Sequence, residues 1–275
     1  MWPPRNIQSA GSTWANKPLA SSVPSFSRWL MTDLGTSGID MYSNGVDWFP
    51  VNGAALLAQQ HATVTYISPA ATYTAVTYAN NGGFVRLQSA GIHGLTGGLL
   101  PAQIYVNWSA GTGVSGLVTV TSVDSVNNLT LATAYDVGLG TPAPVLVGSP
   151  ATLFSYTVPA GLMGVLGQLN FDVYATLSGT PGSTITTATL GGSTLCTTNQ
   201  VVAVELNAIG FITNTSTNTQ FGNFGMIRVT TANTANTATT SAINTINSTT
   251  FTINAQLGNV LGTYKLQRVN LSLSK

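Results

Sequence analysis

Charge is what this sequence has least of. Eight Lys or Arg and seven Asp or Glu make up 5% of its 275 residues, against about 25% in an ordinary soluble protein. The net charge is +1, and the basic residues are scattered from Arg5 to Lys275. No nucleic-acid partner is expected, because phosphate recognition needs a clustered basic surface. There is one cysteine, Cys196, so no internal disulfide can form, and a small buried hydrophobe is expected there. The two histidines, His61 and His93, share no ligand-like spacing with it, so neither a metal nor a cofactor is expected.

Long apolar runs are also missing. Thr, Asn, Ser or Gly interrupts each one, although mean hydropathy is +0.27. None reaches the roughly 20 residues that a spanning helix needs. The aromatic residues do not form the girdles of a transmembrane barrel, so no membrane insertion is expected. The start, MWPPRNIQSAG, has two adjacent prolines and no continuous apolar core, unlike a signal peptide. Helical composition is confined to VNGAALLAQQ (51–60). These features fit folding in a reducing cytoplasm.

What is abundant is Thr, Asn, Ser and Gly. Such a surface is wettable but has little long-range field. Few ions need desolvating when it packs on another subunit, which favours a component of an assembly. Residues 1–32 carry four prolines and four spread aromatics, Trp2, Trp14, Phe26 and Trp29, without periodicity. They read as an extended arm that lies either on another protein or on its own domain. Residues 33–61 read as a β-ribbon and short connector. Asn44-Gly45 suits a tight hairpin turn between IDMY and VDWFPV, and Trp48 and Phe49 in that ribbon need an apolar partner. Asp33, Asp40 and Asp47 fall seven apart, but the intervening glycines argue against a helix that would align them, and turn aspartates are expected.

From about 62 the chain turns to strands: TVTYI, TAVTY, FVRLQ and QIYVNW are β-branched and aromatic. LVTVTSV and LTLATAY flank a second turn at Asn127-Asn128. GLGTPAPVLVGSP (138–150) reads as a boundary. Beyond it, Leu169, Phe171, Val173, Ala175 and Leu177 alternate with Asn170, Asp172, Tyr174 and Thr176. Phe251, Ile253, Ala255 and Leu257 alternate with polar residues in the same way. The fold class is therefore all-β: an extended N-terminal arm (1–32) and the ribbon (33–61) lead into two β-sandwich or jelly-roll-like domains, 62–147 and 148–275. The Asn/Thr-rich stretches within 212–248 read as a loop or an edge strand.

Chemical motifs are sparse. GTGVSG (111–116), with Asp136 beyond it, imitates a dinucleotide fingerprint. It joins strand to strand, however, and lacks the helix N-terminus that would meet phosphate. His93 lies in a glycine-bracketed loop without a nucleophile to serve. Asp172 and Glu205 could supply the two carboxylates of a glycoside hydrolase, but nothing else marks them. No catalytic residue is assigned.

Three stretches resemble segments of tailed-bacteriophage virion structural proteins. In TDLGTSGIDMYSNGVDWFPVNG the match is carried by Thr32, Asp33, Gly35, Gly38, Ser43, Asn44, Gly45, Trp48, Pro50, Asn52 and Gly53. AGIHGLTGGLLPAQIYVNWSAGTGVSGLVTVTSV is similar to a middle β-module. LFSYTVPAGLMGVLGQLNFDVYATL, with GGSTL and TTFTINAQL, is similar to a C-terminal jelly-roll module. The resemblance implies a non-enzymatic virion protein, assembled in the host cytoplasm and homotrimeric like many tail fibres, spikes, head fibres and decoration proteins. Its partners would be other tail or capsid proteins and a host-surface glycan or protein. A tail fibre or spike is the first expectation, a capsid decoration or head-fibre protein the alternative, and a carbohydrate depolymerase the third. Trp2, Trp14, Phe26, Trp29, Trp48 and Phe49 are the expected particle-anchoring or subunit-interface residues, with Trp48 packed on neighbouring subunits or the first β-domain.

Overall fold

The computed structural model describes residues 11–23, 25–35, 38–178, 183–201, 205–229, 234–260 and 262–274. It is all-β, with three short 3-10 turns and no α-helix among the described residues. The chain begins with a small sheet of four strands in sequence order: β1 (Gly11–Ser12), β2 (Arg28–Met31), β3 (Ile39–Ser43) and β4 (Trp48–Pro50). The expected ribbon is present as β3 and β4. Its turn spans 44–47 rather than two residues: the Asn44 side-chain carbonyl accepts the Val46 and Asp47 amides, and Gly45 takes φ +91°, which suits glycine.

Next come β5 (Ala54–Gln60) and β6 (Val64–Tyr66), followed by β7 (Thr77–Asn81), β8 (Phe84–Gln88), β9 (Ala102–Ser109), β10 (Gly116–Ser125), β11 (Asn128–Ala134) and β12 (Thr141–Pro144). The last six curl into a small barrel in the order β7-β8-β11-β10-β9-β12. Inside it pack Val85, Leu87, Ile104, Val106, Val120, Leu129 and Leu131. The hairpin turn between β10 and β11 is Val126-Asn127, with Asn128 already in the strand.

The remaining strands are β13 (Pro150–Val158), β14 (Gln168–Ser178), β15 (Ser183–Leu190), β16 (Ser193–Val201), β17 (Glu205–Ser216), β18 (Thr219–Val229), β19 (Thr234–Ser241), β20 (Thr249–Gln256) and β21 (Thr263–Ser274). Four nested antiparallel pairs, β14–β21, β15–β20, β16–β19 and β17–β18, give the folded-over double strand of a jelly roll. It closes as two facing sheets, β5-β21-β14-β17-β18 and β13-β20-β15-β16-β19. The alternation predicted for β14 holds: Leu169, Phe171, Val173, Ala175 and Leu177 are all buried. The Phe171 ring meets Phe251 at 5.2 Å and Phe224 at 5.6 Å, tying the sheets together. Opposite Phe171 on β17 is Gly210, where a Cβ would fall 2.3 Å from that ring. Cys196 is a fully buried free thiol, and burial pushes its pKa up to about 12.

Two expectations change, and one open alternative is decided. VNGAALLAQQ, helical by composition, supplies β5, because the open edge of β21 recruits it by six residue pairings from Val269 to Ser274; tertiary pairing overrides propensity. The Asn/Thr-rich stretch is neither free loop nor simple edge. Asn214 and Gln220 within it are fully buried. Asn214 donates to the Gly164 carbonyl, and Gln220 both donates to and accepts from the Ile243 backbone. The described part of the arm, from Gly11 on, packs on its own domain. Trp14, Met31, Leu34, Met41 and Trp48 join one apolar cluster with Phe171, Val173 and Leu271 of the sandwich. The physical reason is the pairing of an apolar contact with a satisfied indole: Trp14 Nε1 donates to the Ala160 carbonyl at 2.7 Å, 146 residues away.

Truncating a large buried aromatic typically costs about 3–5 kcal/mol. Trp48→Ala should therefore lower the thermal midpoint of the purified chain by roughly 10 °C. A midpoint within about 2 °C of the parent, by calorimetry, would show that this side chain is not part of the core.

Candidate functional site

Alternation along the N-terminal sheet divides its residues between two faces. Ile39, Met41, Ser43, Trp48 and Met31 face inward and are buried. Facing outward are Arg28, Leu30, Asp40, Tyr42 and Phe49, none of them buried. The register pairs Tyr42 with Phe49 on one side and with Arg28 on the other. The Tyr42 and Phe49 rings stack at 5.6 Å, and Phe26 stacks on Tyr42 at 6.4 Å with the planes 12° apart. The result is a three-ring ladder across the outer face, each contact worth about 0.5–1.5 kcal/mol beyond area burial.

Phe26 is the unusual member. It is 77% exposed and has φ +69°, in the left-handed region that bulky residues avoid. Its amide donates to the Ser43 carbonyl, and the Ser43 amide donates to Ser27 at 3.0 Å, so the β-ribbon fixes the bend. Strain of this kind costs about 1–3 kcal/mol and collects at functional positions. Arg28 and Asp40 form an ion pair beside the rings, which cancels the only outward charges of these strands. Of the fourteen exposed large hydrophobic residues among the described ones, five lie between 19 and 56: Leu19, Phe26, Leu30, Val46 and Leu56. A cleft of about 310 Å³ between this sheet and β5 is lined by Arg28, Asp40, Pro50, Asn52 and Leu56.

The expected anchoring residues therefore separate. Phe26 and Phe49 come together, joined by Tyr42, which sequence reasoning missed; its place follows once the 44–47 turn fixes the register. Trp14 and Trp48 turn inward. Trp48 Nε1 donates to the Pro18 carbonyl at 3.0 Å, so its partners are the chain's own N-terminal segment and sandwich core, not the barrel. Trp29 is half-buried, with Nε1 donating to the Ser12 hydroxyl. Trp2 lies outside the described residues. Lys17 sits 3.9 Å from the centre of the Trp14 ring. Burial lowers its pKa, against the opposing pull of Asp47 and Asp33.

The other candidates have structural employment. The Trp14 amide donates to Asp33, and the Trp48 amide to Asp47. His93 is buried, with the Leu95 amide donating to its Nδ1 and its Nε2 facing the Ser125 carbonyl; His61 is exposed. Among the described residues no group of three His, Cys, Asp or Glu could hold a metal. GTGVSG joins β9 to β10, and a Cβ on Gly113 would lie 2.6 Å from the Trp108 ring. Asp124 is held below the usual carboxylate range: burial raises its pKa, but hydrogen bonds from Ser122, Thr130 and Arg86 and the Arg86 charge outweigh that. Asp172 lies opposite Ile209, and Glu205 opposite Thr176. Four residues along the sheet separate them by about 13 Å at ~3.3 Å per residue, beyond the ~5–9.5 Å of glycosidase carboxylate pairs. Asp172 accepts from Arg268 and Asn270, and Glu205 from the Tyr174 hydroxyl.

No family model matches the sequence, and no curated protein matches it. Among solved structures, the chain is similar to the CBM2 module of the evolved Dit of Lactobacillus casei BL23 phage J-1. The TM-score is 0.30 at 8% identity, covering 80% of this chain and 96% of that one. It is also similar to lectin I from Ulex europaeus, solved with the methyl glycoside of alpha-L-fucose. There the TM-score is 0.26 at 7% identity, covering 78% of this chain and 98% of that one. Both scores are too low to carry a conclusion about this chain.

Phe26→Gly removes both the strain and the exposed ring, while adding less than about 1 kcal/mol of unfolded-state freedom. The isolated chain should keep its thermal midpoint or gain slightly. A fall of more than about 5 °C would show that the ring serves the chain's own stability.

Proposed function

We propose that this chain is a non-enzymatic structural protein of a tailed-phage particle, a trimeric tail fibre or spike-like appendage. It seats on neighbouring virion proteins through the outer face of its N-terminal sheet and presents its sandwich to the host surface. The observation that carries this reading is the Phe26–Tyr42–Phe49 ladder. A strained, exposed phenylalanine is held in place by a rigid ribbon, on a face whose charges cancel. Apolar rings presented on a pre-formed support are what a subunit contact needs, because burying them costs little ordering entropy and desolvates no unpaired ion.

A non-catalytic role is supported by the acidic residues. Asp40, Asp124 and Asp172 are ion-paired, while Asp33, Asp47, Asp136 and Glu205 accept hydrogen bonds in turns or across strands. Host contact would be a matter of avidity, three copies multiplying weak contacts through effective concentration. A glycan or a protein receptor would suit such a binder.

The test is incorporation. Phage assembled with a Phe26→Ser/Phe49→Ser chain should contain at least tenfold less of it than particles made with the parent, while the purified variant remains folded. Normal incorporation would sink the proposed seat. Copy number in parent particles separates a tail appendage, present in few copies, from the capsid-decoration reading, which demands many. Clearing of host polysaccharide, abolished by Asp172→Asn or Glu205→Gln, would replace the binding reading with the depolymerase.

A further inference from the structure

The inner faces of β15 and β16 change character along their length. Ala188 and Cys196 lie opposite each other, buried and apolar. Nearer the other end the register places Thr186 opposite Thr198 and Thr184 opposite Gln200. Directly opposed residues share a face, so these four polar side chains form a two-by-two patch inside the sandwich. All four have 0% exposure. Thr186 is satisfied across the core by the Tyr264 hydroxyl at 3.1 Å. The hydroxyls of Thr184 and Thr198, and both the nitrogen and the oxygen of the Gln200 amide, have no hydrogen-bond partner among the described residues.

Dry burial of four such atoms together would oppose folding on a scale comparable to a domain's net stability. Native interiors satisfy buried polar groups, with ordered water where protein groups are absent. None of the four side chains carries charge, so the patch selects neither a cation nor an anion. A hydroxyl and a carboxamide each donate and accept, so the guest must do both and fit between two packed sheets. Water is the molecule of that description.

We infer that a small cluster of ordered waters is built into this end of the core, bridging Gln200, Thr198 and Thr184. The site lies where the sandwich meets the barrel. A Cβ on Gly258 would sit 2.6 Å from the carbonyl of Ser183, the residue before Thr184, and one on Gly94 of the barrel would sit 3.3 Å from Val260. The Leu257 carbonyl accepts the Gly148 amide of the connecting segment at 2.8 Å. The water cluster thus underlies the junction between modules, independently of what the molecule binds.

Water-oxygen magnetic relaxation on the full chain reads long-lived internal waters directly. Thr198→Val keeps the shape of the side chain and removes its hydroxyl; Gln200→Met keeps the length and removes the amide. The expected result is a loss of long-lived water signal in Thr198→Val relative to the parent, and a larger loss in Gln200→Met. Should Gln200→Met not fold, Thr198→Val alone decides the matter. A parent signal that Thr198→Val leaves unchanged would overturn the inference.

Discussion

Residues 263–274 hydrogen-bond to three separate stretches of the chain at once. β21 pairs with β14 along its whole length, with β5 over its second half and with β6 at its start. The end of the sequence therefore holds residues 54–66 in the same sheet as the sandwich. β6 in turn touches β9 of the barrel through Tyr66 and Gln103, reinforced by the Ile67 amide donating to the Gln103 carbonyl at 2.8 Å. Once β5 is fixed, the N-terminal sheet has only a short tether and a large apolar underside, and it settles on the sandwich through Trp14, Met31, Met41 and Trp48. The aromatic ladder faces outward because the opposite face is committed inward.

Scarcity of charge shapes the rest. Cohesion comes from apolar burial and from neutral hydrogen bonds such as Asn254 with Thr152, Thr252 and Thr187 on the outer face of one sheet. The ion pairs are part-exposed, and pairs of that kind contribute little. Strand edges are usually guarded by charges, yet β5 and β13 carry none. A chain built this way has little electrostatic repulsion with which to guard its surface.

Much of the fold was legible because period-two alternation is a strong signal where one face is buried. β8 coincides with the FVRLQ segment read from sequence, and β14 and β20 bury the faces that their patterns marked. β5 was not legible, since nothing local in AALLAQQ speaks for a strand; its partner lies some two hundred residues away. The inward turn of Trp14 was hidden for the same reason, its acceptor being the backbone of residue 160. Phe26 and Phe49 stand out in the sequence, one as an aromatic of the proline-rich arm and the other within the glycine-turned ribbon. Tyr42 could not, because its role depends on cross-strand register rather than on composition. The buried Gln200 and its threonines gave no warning, since such residues are everywhere in this sequence.

The N-terminal sheet belongs to the sandwich core and is not a detachable arm. Native-state hydrogen exchange on the isolated chain reads this, because protection reports the free energy of local opening. The amides of β2, β3 and β5 should exchange as slowly as those of β21, within about tenfold. If β2 and β3 exchange at rates near those of an unfolded peptide while β21 stays protected, the sheet forms only on a partner and its outward face is not pre-formed.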